Sequence, residues 1–243
     1  MKIIYVNKYT QNEIMTNQIL DLFVLVVISP FFGLVYVYVL DKVMLVNGMF
    51  LEMWHLVKIP MTISVLFWFF SLLVSRIVKR VLYFYLLLAV MILIGAIPIV
   101  QITIWLAPSL FGVIGWFGSI IVGVSFLFGY WDYFNKVLKQ SNAYANAIDR
   151  ENGEWNVRTQ IQLDDETPAA MKKQYEIASL LGILLIFVPG VVGRENFYIG
   201  IGFLVMISIS YFLIKRIAKP AALAVKMFGW EQEIGKPIRV ISE

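Results

Sequence analysis

The chain has 243 residues, 60 % of them hydrophobic and 15 % charged, with a mean hydropathy of +0.79 and a formal net charge of +4. Globular domains carry about 25 % charged residues. Here the charge is emptied from long segments: no Asp, Glu, Lys or Arg occurs between Arg80 and Asp132, a gap of 51 residues. That excludes a soluble domain, a disordered chain and a nucleic-acid-binding module, and it identifies an all-α polytopic membrane protein.

The chain opens with a cytoplasmic segment, residues 1–19. In it, Thr10 and Glu13 have the spacing of a capping box and predict a helix from about Gln11. That helix leads into the first of the stretches of roughly 20 apolar residues that a bilayer crossing needs, Leu22 to Leu40, where Pro30 and Gly33 predict a kink. The following loop, Asp41 to Lys58, holds Met49, Phe50, Met53 and Trp54, candidate partner-binding residues because methionine and aromatic clusters suit adaptable contacts. They suit an interfacial helix equally well. Glu52 and His55 read as a surface pair.

Ile59 to Ser75 forms the second span. The uncharged gap holds two more, Val81 to Ile97 and Ser109 to Trp131, broken by Pro98, Gln101 and Pro108. In the fourth span Gly112, Gly115, Ser119 and Gly123 follow at steps of three, four and four. Small residues at that spacing predict close helix packing, with Gly118 and Gly129 off the line. Trp116, Phe117, Ile120, Phe126 and Phe128 are expected on the opposite surface.

A cytoplasmic insertion, residues 132–176, contains the turn signal Asn152-Gly153. Alternation from Trp155 to Leu163 predicts a small β-hairpin over Ile148 to Leu163. Thr167-Pro168 has the form of a helix start, preceded by Asp164, Asp165 and Glu166, whose charge suits a helix N-terminus. Ile177 to Val192 and Phe197 to Ile214 complete a six-helix bundle, residues 20–216. The tail, residues 217–243, reads as an amphipathic helix restarting at Pro220 on the inner leaflet and ended by Gly229 and Gly235.

With six spans and both termini inside, the inner segments hold 17 of the 20 Lys and Arg residues. The positive-inside rule therefore predicts an N-in, C-in topology, and a bacterial cytoplasmic membrane is the expected location. The chain has no cysteine and one histidine, His55, so no metal or cofactor is expected. None of the six cores holds an ionisable residue, their serines lack a base, and no glycine-rich phosphate loop occurs. The expected function is a non-enzymatic membrane subunit in a transport or secretion assembly. Its partners are the lipid bilayer and another membrane protein or a second copy, and no nucleic acid is expected. An immunity-type protein neutralising a membrane-active toxin, or an oligomeric channel or uncoupled transporter, fits the same composition.

Overall fold

A computed structural model describes residues 11–43, 48–75, 77–157, 159 and 194–240. Thr10, Ile161, Leu163, the run from Asp164 to Pro168 and the expected fifth span Ile177 to Val192 lie outside the described residues.

The described chain is mostly helical: α1 (Gln11–Asp21), a π-helical turn (Val24–Ile28), α2 (Ser29–Val43), α3 (Met49–Ser75), α4 (Val81–Gln140) and α5 (Arg194–Ile234). Among the described residues, three segments are long and apolar enough to cross a membrane, Met49–Ser75, Val81–Leu106 and Gly115–Gln140. The π turn immediately precedes Pro30, whose missing N–H leaves the Val26 carbonyl without its helical donor.

The last two apolar segments are the arms of one hairpin within α4. The Ser119 hydroxyl donates to the Ile104 carbonyl at 2.6 Å across fifteen residues, which would be about 22 Å apart in a straight helix. The reversal falls between Leu106 and Gly115, where Pro108 interrupts the hydrogen-bond ladder. Contacts along α5 fix its direction. Thr103 meets Ser210 and Arg80 meets Glu231, so α5 runs antiparallel to the first arm. Phe126 meets Tyr211 and Tyr133 meets Lys215, so it runs parallel to the second.

The core follows the first arm, where Val81, Phe84, Tyr85, Leu88, Met91, Ile92, Ile99 and Ile102 are buried. Gly95 packs against Val26, and Gly33 against Met206 and Ile99, at separations where a Cβ would collide. These contacts bring α2 and the π turn onto the bundle.

Two expectations change. The tail does not begin a new helix at Pro220: α5 continues through it to Ile234, with Ala222, Leu223, Ala224, Met227 and Trp230 buried. One side of this stretch thus packs into the core, whereas Val225 and Phe228 are exposed. The continued helix brings Glu231 beside Arg80. The strand expected from Trp155 to Leu163 stops at Trp155: Ile148–Asp149 (β1) and Glu154–Trp155 (β2) pair antiparallel, and Val157 is already helical. The turn includes Asn152-Gly153 but spans four residues, Arg150 to Gly153, with Gly153 at a φ of +69°. Arg239–Val240 (β3) joins β2 in parallel, giving the order β1-β2-β3.

Candidate functional site

Each proline inside a helix leaves the carbonyl four residues earlier without an N–H donor. Pro98 orphans the Ile94 carbonyl, and the Ser64 hydroxyl of α3 reaches it at 3.0 Å. Pro108 orphans the Ile104 carbonyl, and Ser119 of the second arm reaches it at 2.6 Å. Both serines also approach carbonyls of their own helices, Pro60 at 2.8 Å and Gly115 at 3.1 Å. Ser64 and Ser119 are buried. A third polar contact joins the first arm to α5: the Thr103 hydroxyl donates to the Ile99 carbonyl at 2.8 Å, and the Ser210 oxygen lies 2.7 Å from that of Thr103. Hydroxyls here satisfy backbone and tie neighbouring helices together.

The polar end of the bundle is organised by one ion pair. The Arg80 guanidinium donates to both carboxylate oxygens of Glu231, at 2.9 Å and 2.6 Å. Glu231 is buried and Arg80 is half-buried. The Glu231 hydrogen bond holds the Arg80 pKa above its usual value. Beside the pair, Trp155 is 1 % exposed, with its ring 6.4 Å from those of both Tyr85 and Trp230. At the hairpin turn, hydrogen bonds from the Asn152 side chain and backbone hold the exposed Asp149 carboxyl below its ordinary value.

The residues singled out for packing are distributed unevenly. Gly115 and Ser119 are buried, Gly123 has no neighbouring atom within 4 Å of a Cβ built on it, and Gly112 lies in the same helix. Gly118 also borders open space. The second arm also closes on α5 at Gly129, where a Cβ would overlap the Tyr211 ring. Phe126, expected on the outer surface, is instead buried, its ring 6.2 Å from that of Tyr211. Trp116, Phe117, Ile120 and Phe128 are exposed.

Of the loop residues, Met49 and Met53 are buried at the start of α3, Phe50 is half-buried and Trp54 is exposed. His55 bonds to Lys58, with its Nδ1 at 3.1 Å from the ammonium, and not to Glu52. Among the described residues no three His, Asp or Glu side chains gather as a metal site would require. Sequence reading missed the serine–carbonyl clasps and the Arg80–Glu231 pair. The in-helix prolines could have signalled the first, whereas nothing local signals a pair separated by 151 residues.

No protein-family model, curated protein or solved structure matches the chain.

Proposed function

We propose that this chain is a non-enzymatic integral membrane subunit that acts through protein–protein contacts in the bilayer, in a transport or secretion assembly of a bacterial cytoplasmic membrane. The carrying observation is the sidedness of the second arm. Of the apolar window in Gly115–Gln140 only 17 % is buried, against 22 % for Met49–Ser75 and 56 % for Val81–Leu106. Its outward surface combines large side chains, Phe117, Ile121 and Phe128, with notches at Gly118 and Gly123. Lipid fills such notches less well than a helix that brings its backbone close. The hydroxyls of the interior are committed to backbone carbonyls, as suits a scaffold rather than a catalytic centre.

The topology proposed with this function is six spans with both termini in the cytoplasm. Its support is the 17-to-3 distribution of Lys and Arg. The position of α5 adds to it. The hairpin at Trp155 packs on Trp230 at the C-terminal end of α5, whereas α5 begins at Arg194, at its other end. An additional crossing between them, by Ile177 to Val192, accounts for that separation.

A photo-crosslinking residue at Phe117 or Ile121 tests the function in native membranes. Adducts to a different membrane protein, absent when the probe replaces the buried Leu106, are the expected result. Adducts to lipid alone would contradict the proposal. Adducts to a second copy, combined with ion flux in liposomes, would replace it with the channel reading.

A further inference from the structure

Gly235, at a φ of +74°, ends α5 and turns the chain back. The segment that follows is held along both edges by main-chain bonds. On one edge the Val81 N–H donates to the Ile238 carbonyl, and the Val240 N–H donates to the Lys79 carbonyl, both at 3.0 Å. On the other, the Arg239 N–H donates to the Gly153 carbonyl at 2.9 Å, in parallel register with Glu154 and Trp155. The remaining N–H, that of Ile238, donates to Glu231 Oε1 at 2.9 Å. Side chains alternate along the segment: Ile238 and Val240 are buried, Pro237 and Arg239 are exposed.

Main-chain bonds that accept any sequence, together with pockets for alternate side chains, make up a strand-addition site. We propose that the slot between Lys79–Val81 and Gly153–Trp155 is a binding site for an extended peptide with apolar residues at alternate positions. In this structure the chain's own Ile238-Arg239-Val240 occupies it in cis. One hinge, Gly235, connects the occupant to α5. Glu231 couples occupancy to the bundle, because the carboxylate that accepts the strand's N–H also holds Arg80 at the foot of the first arm. The slot is separate from the exposed second-arm surface and does not depend on a partner binding there.

The test uses the full chain, which contains no cysteine. In Ile238→Asp, a carboxylate at a fully buried position ejects the strand and vacates the slot. A fluorescent octapeptide with the sequence of residues 236–243 is then expected to bind saturably. It should bind about tenfold or more tighter than the same peptide with aspartate at its third position, the loss expected for one buried isoleucine side chain. Absence of saturable binding to the folded variant, or equal binding of the two peptides, would overturn the proposal. A second variant, Glu154→Cys combined with the milder Ile238→Ala, loosens the strand without burying a charge and serves if Ile238→Asp does not fold. Glu154 is the register partner of Arg239. An octapeptide with cysteine at its fourth position should therefore crosslink to Glu154→Cys under oxidised glutathione, and not to the exposed Gln232→Cys. Equal crosslinking at both positions would also overturn it.

Discussion

Replacing Ser64 by alanine removes one hydroxyl from a site that is 2 % exposed. That hydroxyl has a single proton and two acceptors in reach, the Pro60 carbonyl at 2.8 Å and the Ile94 carbonyl at 3.0 Å. The Pro60 carbonyl already has the helical N–H of Ser64, whereas Pro98 deprives Ile94 of its own donor. The energetic weight of the hydroxyl thus rests on Ile94. Interhelical hydrogen bonds in membrane bundles average about 0.6 kcal/mol and reach about 1.7. The orphaned carbonyl places this one in the upper half, and Ser64→Ala should cost about 1 kcal/mol. In a Pro98→Ala background the restored N–H can bond Ile94, so the same substitution should cost only a few tenths of a kcal/mol. Unfolding curves of the four proteins in mixed micelles give the coupling energy. An equal cost in both backgrounds would refute the assignment of Ser64 as a replacement donor for the proline-disrupted ladder.

Gly129→Ala should destabilise by about 1–3 kcal/mol, because the added methyl must displace the Tyr211 ring. Gly123→Ala, with open space around it, should be neutral or stabilise by up to about 1 kcal/mol through helix propensity. Thermal unfolding compares the two. Glu231→Ala removes the acceptor of both Arg80 and the Ile238 N–H. A loss of about 2 kcal/mol is expected, with a change in tryptophan fluorescence from Trp155 and Trp230. Because the folded-state pKa of Asp149 is lowered, its contribution to the hairpin is complete above the unfolded value and is lost as pH falls through the folded one. Amide protection at Gly153 should drop at acid pH in the native chain, and Asn152→Ala should blunt that dependence.

Charge and hydropathy made the helical arms legible, since an uncharged gap between Arg80 and Asp132 is too long for one crossing. Pro108 marked the break between the arms. Pro98 did not end the third span at Ile97, because the first arm continues through it to Leu106 and the second starts at Gly115. The packing face of the second arm was legible only at its start. Steps of four advance about 40° per step around a helix of 3.6 residues per turn. A line through Gly115, Ser119 and Gly123 therefore drifts off the contact face. The buried residues Gly115, Ser119, Phe126 and Gly129 follow at steps of four, seven and three, a mean repeat of about 3.5 residues per turn, which holds them on one side. Phe126 looked external because bulk was weighed above position. The tail was misread at Pro220 because a proline in a helix whose neighbours cover the freed carbonyl need not end it. Strand alternation past Trp155 gave way to a helical turn at Val157, which is buried. Arg80 and Glu231 meet only once the first arm and α5 are packed, and no local pattern encodes that.

The topology is open to a direct measurement, because the absence of cysteine leaves no background for thiol labelling. Single-cysteine variants at Glu52, Ile77 and Asn152, all exposed, are treated in intact cells with a membrane-impermeant maleimide and again after permeabilisation. With both termini inside, Glu52→Cys should react in intact cells, and Ile77→Cys and Asn152→Cys only once the membrane is opened. Labelling of Asn152→Cys in intact cells would contradict it, since the hairpin at the foot of the bundle would then face the outside.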